Sequence, residues 1–351
     1  MWRPVAPRDL PEDLRRWARA HYGATAEVPT IVRMPGHSGI SYGFEVVGPD
    51  LVGGGLRLVV RLAPPGVRRV DSTDVVRMVA VLRAMARVGV PVPPVRGWGD
   101  DERWFGVSYL VVDWVAGATL PDVFDREAGP PAGGGVDSRF ALAVDALVAI
   151  HRPEALAALR LDPSPRAAGW SRVRTLVDEL DRWVPVLEKA QDPSWVDAGL
   201  ALRRRLMATA PPDPAPGVVH GDFYSNNWLF DGDRLSAVLD WENAGVGAPA
   251  IDLGWLCVIH DPACWGPARG EAWRWVPSVD TLLARYERAS GRPPEHPGWY
   301  RALGAYRMAC IAANGLRLHR TGRHRDAIWE VFGDAFDHLI VHAGALLRHP
   351  D

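Results

Sequence analysis

The pattern of apolar and polar positions changes period about a third of the way along the chain. Residues 8–22 carry apolar side chains at helical spacing, after which "TIVRM" and "YGFEVV" read as strands around "PGHSGIS". "LRLVVRLA" supplies a third strand beyond the Gly-rich turn "GPDLVGGG". In "DSTDVVRMVAVLRAMARVG", Val75, Met78, Val79, Leu82, Met85 and Ala86 fall on one helical face, with Ser72 as N-cap and Gly89 as the stop. "VPVPPVRGW" is held extended by its prolines, and "FGVSYLVVDWV" adds an apolar strand running into Gly117.

From about residue 138 the signals become long amphipathic segments, roughly 138–151, 171–190, 194–209, 278–290, 298–320 and 323–348, divided by Pro/Gly loops such as "PPDPAPG". A short β-rich stretch near 218–240 interrupts them. The pattern predicts an α+β protein in which a β-rich half with one helix and a helical half share a cleft. "AGPPAGGGVD" is too short for a tether and reads as a surface loop.

With 351 residues, 48% apolar and 23% charged, the chain can bury a large core. A net charge of −2 provides no global positive field, which argues against a nucleic-acid partner and against an anionic membrane surface. The start "MWRPVAPRDLPEDLRRW" lacks a signal-like apolar run, and no segment has eighteen uninterrupted apolar residues, so a soluble cytoplasmic protein is expected. Cys257, Cys264 and Cys310 lack CxxC spacing and read as reduced core thiols.

The chemistry concentrates in "HGDFYSNNWLFDGDRLSAVLDWE", His220 to Glu242. A strand ending at Val218 and Val219, a tight His-Gly-Asp turn and two β-runs joined by "DGDR" bring Asp222, Asn227 and Asp240 to one end of a hairpin. Phosphoryl transfer needs such a set: a carboxylate for the acceptor hydroxyl's proton, and an amide and a second carboxylate as hard oxygen donors for Mg²⁺. Asp231 and Asp233 are turn residues, and Glu242 reads either as a surface residue or as a support beside the metal ligands.

"HGDFYSNN" resembles the HGDxxxxN catalytic loop of the aminoglycoside phosphotransferase-like family, relatives of the protein kinases that phosphorylate small-molecule hydroxyls. The resemblance spans about residues 29–320 and implies a two-lobed protein-kinase-like fold, with a nucleotide-binding lobe over 1–116, a hinge near 110–117 and a helical lobe over 117–351. By this resemblance Asp222 would be the catalytic carboxylate, and Asn227 and Asp240 would hold Mg²⁺. Asp252, in "GAPAIDLGW", would brace the loop; His220 would prop it; His151 would be a packed histidine.

"MPGHSGISYGFEV" resembles the family's phosphate-covering strand–loop–strand, where Gly36, Ser38, Gly39 and Ser41 would meet the phosphates of ATP or GTP. Arg61 stands where relatives usually carry lysine, and Asp113 to Val115 occupy the connector whose backbone would meet the purine. The helix position expected to offer Glu to that cation holds Met78. Asp74, one turn earlier, is either a substitute partner for Arg61 or a first-turn acid.

The acceptor would lie between the catalytic loop and the C-terminal helices. Arg307, Arg317, Arg320, Arg323 and Arg325 there disfavour a strongly cationic acceptor, although they read equally as a solvated helix face. Trp255, Trp265, Trp273, Trp275 and Trp299 could line a pocket or belong to the core. The expected activity is Mg²⁺-dependent transfer of a γ-phosphate to a small-molecule hydroxyl, in a biosynthetic or antibiotic-modifying role. The alternative is a weak or inactive kinase-like nucleotide binder, which Met78 favours.

Overall fold

The computed structural model describes residues 9–34, 40–66, 73–100, 102–124, 129–130, 135–164, 166–266 and 275–348. Helix α1 (Leu10–Tyr22) opens on the N-cap Asp9 and is followed by β1 (Ile31–Arg33), β2 (Ile40–Val47) and β3 (Gly55–Leu62). A 3₁₀ turn over Val75–Arg77 leads into α2 (Met78–Arg87), then β4 (Val95–Gly99) and β5 (Tyr109–Asp113). The strands form one antiparallel sheet in the order β1-β2-β3-β5-β4.

Two-residue alternation assigns the faces of β3. Leu58, Val60 and Leu62 are buried with Leu14 and Trp17 of α1 and with Phe44 and Val111 of the sheet. Val59 and Arg61, displaced by one residue, face the other way and line a cleft with Met78 and Leu82 of α2. Ser41 lies directly opposite Arg61 in the β2–β3 register and lines the same cleft.

Beyond β5 the chain crosses to the helical lobe through Gly117, whose φ is +139° and whose added Cβ would lie 2.8 Å from the Phe230 carbonyl oxygen. Reciprocal backbone bonds between Ala118 and Phe230, 2.9 and 2.8 Å, fasten the crossing. The second lobe contains α3 (Val136–His151), α4 (Pro153–Arg160), α5 (Leu176–Asp181), α6 (Val184–Leu187) and α7 (Pro193–Ala208). Four short strands follow: β6 (Gly217–Val219), β7 (Trp228–Asp231), β8 (Arg234–Val238) and β9 (Gly245–Gly247), with β6 paired to β9 and β7 to β8. The chain continues through α8 (Ala250–His260), α9 (Val279–Ser290), α10 (Pro297–Arg320), α11 (Ile328–Asp334) and α12 (Phe336–Leu346). Helices α8 and α10 cross at Gly254 and Gly304; a Cβ on Gly254 would strike the Tyr300 carbonyl.

Several boundaries differ from the pattern. The segment 171–190 is not one helix: Thr175 starts α5 with a capping box to Asp178, and α6 begins anew with a proline in its first turn. The segment 323–348 starts as helix only at Ile328 and breaks at Ala335. The proline-rich stretch contributes strand β4. Helix α8 has no polar face, since every residue from Ile251 to His260 is buried, and so gives no amphipathic period. Ser72, expected as an N-cap, lies outside the described residues. The three cysteines are buried free thiols.

Candidate active site

The segment after β6 turns sharply at Gly221, with φ +81°, where a Cβ would strike the Asn243 carbonyl. Asp252, in the first turn of α8, accepts from the backbone N–H groups of His220 at 2.6 Å and Gly221 at 2.8 Å. Its Oδ2 is 3.3 Å from His151 Nε2, and His151 Nδ1 meets the Tyr286 hydroxyl at 2.9 Å. Burial opposes ionisation of Asp252, but the hydrogen bond from His151 and the two nearby histidines hold its carboxyl below the usual range. His220 places Nε2 2.8 Å from the Leu239 carbonyl and accepts the Asp222 N–H at Nδ1, which defines a neutral ring donating from Nε2. Burial depresses its pKa, in keeping with that neutral state.

Asp222 is held from several sides. Asn227 Nδ2 donates to its carbonyl at 2.8 Å and to Oδ2 at 3.2 Å, while Trp255 Nε1 donates to Oδ1 at 3.1 Å. Arg307 NH2 lies 3.9 Å from the same Oδ1. Burial pushes the Asp222 pKa up to about 7; Arg307 and Asn227 oppose the shift, and Asp240 and Glu242 add to it.

A backbone bond from Leu239 N to Asn227 O, 2.8 Å, ties the loop to the strand end that presents Asp240. Asp240 adopts the left-handed region with φ 60° at the start of a 3₁₀ turn over Trp241–Asn243. Arg61 NH1 donates to Asp240 Oδ1 at 3.1 Å, and its NH2 pairs with the Glu242 carboxylate. Asp222, Asn227 and Asp240 therefore share one cleft of about 670 Å³ with Ser41, Arg61, Asp113, Val115 and Glu242. Spending the Asn227 NH₂ on Asp222 leaves Oδ1 as its ligating atom, and Asp240 and Glu242 set two carboxylates against the single charge of Arg61. This set of hard oxygens suits Mg²⁺.

The other candidates divide. His220 and Asp252 stand behind the loop as its hydrogen-bonded support. Asp74 is not the partner of Arg61: it precedes the 3₁₀ turn and pairs at 2.7 Å with Arg166, which also holds Asp100 at 2.7 Å. Glu242, for which the sequence allows a surface place or one beside the metal ligands, is 8% exposed and takes that partnership. The Asp113 side chain is gripped by Arg96 at 2.6 and 2.7 Å; its amide donates to Pro94 O, and that of Trp114 to Arg57 O, both at 2.9 Å. Gly36, Ser38 and Gly39 lie outside the described residues.

Of the five arginines, Arg320, Arg323 and Arg325 are exposed and Arg317 is half-buried, but Arg307 is buried beside Asp222. An arginine inside the apolar run "AYRMACIAA" was the available signal. Trp255 reaches the site, whereas Trp265 and Trp299 are core, donating to the carbonyls of Val258 at 3.0 Å and Leu206 at 3.1 Å. Trp275 is half-buried, and Trp273 lies outside the described residues.

A five-stranded sheet lobe, a single crossing to a helical lobe and a carboxylate-amide-carboxylate cleft between them define the kinase-like class of phosphotransferase folds. The chain belongs to the phosphotransferase enzyme family, whose model matches residues 43–309. Among curated proteins it is 25% identical over 264 residues to acyl-CoA dehydrogenase family member 11 of Pongo abelii, covering 72% of this chain and 32% of that protein. The chain spans about a third or less of the length of the first such relatives. It is 30% identical over 186 residues to viomycin phosphotransferase of Streptomyces vinaceus, covering 51% of this chain and 58% of that one. A crystal structure of a candidate aminoglycoside phosphotransferase from Ralstonia eutropha shares the fold, with TM-score 0.74 and 22% identity over 97% of this chain and 98% of the other.

Proposed function

We propose that the chain transfers the γ-phosphate of ATP or GTP to a hydroxyl of a small molecule in a Mg²⁺-dependent reaction. The convergence of Asp222, Asn227, Asp240 and Arg61 on one cleft carries this reading. Asp222 orients the acceptor hydroxyl and receives its proton as the acceptor oxygen bonds to the γ-phosphorus and the bond from that phosphorus to the β–γ bridging oxygen breaks. Asn227 and Asp240 hold Mg²⁺, which offsets phosphate charge when bound. Arg61, with Ser41 opposite it, serves the phosphates, and the Val115 backbone meets the base. Most of the rate gain comes from positioning and fixed charge.

The weak or inactive alternative rested on Met78. Glu242 supplies Arg61 with the carboxylate that Met78 lacks, which favours the active reading. A thermal-shift panel of ATP and GTP, each with and without Mg²⁺, followed by a hydroxyl-acceptor screen, tests the proposal. Nucleotide at about a hundred times its Kd adds about 2.7 kcal/mol of stability, a rise of several degrees in Tm. No Mg²⁺-dependent shift with either nucleotide sinks it.

A further inference from the structure

Arg307 lies in the middle of α10 with 5% of its surface exposed. Its guanidinium is 3.9 Å from the Trp255 ring, and the Trp183 ring is 5.1 Å away. Aromatic rings over a guanidinium cover its faces and leave its N–H bonds to donate in plane. Yet among the described residues none of those N–H groups makes a hydrogen bond, and Nε is buried without a partner. Among the described residues the one carboxylate within ion-pair range, Asp222, stands at 3.9 Å, beyond hydrogen-bond distance, and the oxygen concerned already accepts from Trp255. Two further acids act on Arg307: Glu179 is committed to Trp183 Nε1 and to Arg182, each at 3.2 Å, and Asp252 to the amides of His220 and Gly221.

A buried guanidinium with unspent donors destabilises a fold unless something supplies the missing acceptors. The positive charge beside Asp222 repels a cationic acceptor and attracts an anionic one. A planar fork of donors matches a planar carboxylate in a bidentate pair. The short span from Asp222 to Arg307 places the reacting hydroxyl and the anionic group within a few bonds of each other.

We propose that Arg307, in contact with the Trp255 ring and near that of Trp183, is the acceptor-recognition residue, and that the acceptor is a hydroxylated carboxylic acid whose hydroxyl meets Asp222 while its carboxylate is held by Arg307. This specificity rests on the phosphotransfer reading above, but the anion subsite has its own readout.

The test uses intrinsic tryptophan fluorescence, since two tryptophans flank the guanidinium. The full chain is titrated with glycolate and 3-hydroxybutyrate, with glycolamide and 3-hydroxybutyramide, and with glycerol 1-phosphate, as wild type, Arg307→Lys and Arg307→Met. Wild type should bind the acids at least tenfold more tightly than the matching amides; Arg307→Met should lose the difference and Arg307→Lys should keep part of it. Equal binding of acid and amide, no saturable binding of either acid, or an acid preference that survives in Arg307→Met overturns the proposal. Tighter binding of glycerol 1-phosphate than of both acids overturns it in favour of a phosphate-bearing acceptor. The wild-type acid-to-amide comparison needs no variant to fold. Turnover of the same mixtures with Mg²⁺ and ATP or GTP reports on phosphotransfer separately: acid binding without phosphate transfer sinks that reading and leaves the subsite standing.

Discussion

Arg61 of β3 and Glu242, two residues beyond Asp240, form an ion pair that joins the sheet lobe to the segment following the β7–β8 hairpin across 181 positions of sequence. Arg61 is thereby held against both carboxylates that follow the hairpin rather than against α2. The half-buried position of the pair predicts measurable coupling. In a double-mutant cycle of Arg61→Met and Glu242→Gln, the interaction energy by denaturant unfolding should be roughly 1–3 kcal/mol. Asp74→Asn, combined with Arg61→Met, should show none. A cycle for Arg61 and Glu242 that closes to zero rejects the pairing.

Asp222→Asn should lower kcat by roughly 10² to 10⁴ while leaving nucleotide affinity within a few-fold of wild type. Steady-state kinetics beside direct nucleotide titration separates the two quantities. An unchanged kcat removes Asp222 from the reaction.

Asp240→Ala should abolish the Mg²⁺ dependence of nucleotide binding, because an oxygen donor to the ion is lost. Calorimetric titrations with Mg²⁺ and with EDTA give the comparison, and a variant that still responds to Mg²⁺ like wild type contradicts the assignment.

His260 gives the fold an acid-sensitive point. It is buried with Nε2 3.0 Å from Ser225 Oγ, and desolvation lowers its pKa from 6.5 to about 4. The unfolded chain takes up this proton below about 6.5 while the folded one resists it. Stability is therefore fully present above the unfolded value and falls as pH drops through 6.5 toward about 4, by up to roughly 3 kcal/mol at 1.36 kcal/mol per unit. His260→Gln should flatten the urea-midpoint profile over that window; an unaltered slope refutes the attribution.

Gly221→Ala should destabilise by about 1–3 kcal/mol, because alanine is strained at φ +81° and its methyl meets the Asn243 carbonyl. Thermal unfolding measures this, and a neutral outcome would show that the turn relaxes freely.

Residues whose role depends on local chain geometry were the legible ones. The His-Gly-Asp turn and the strand pairings that follow it bring Asp222, Asn227 and Asp240 to one cleft from short-range rules alone, and alternation in β3 turns Arg61 toward it. What escaped depends on long-range packing. Glu242 reads like any acid after a strand until the sheet lobe lays Arg61 over it, and Asp74 looks well placed on a helical wheel until Arg166 claims it. Helix α8 escaped because complete burial erases the polar face by which a helix is ordinarily detected.

The crossing at Gly254 and Gly304 leaves no slack between α8, which carries Asp252 and Trp255, and α10, which carries Arg307. The two helices pack as one unit. The brace behind the His-Gly-Asp turn and the guanidinium beside Asp222 therefore sit on one packed unit and keep a fixed spacing.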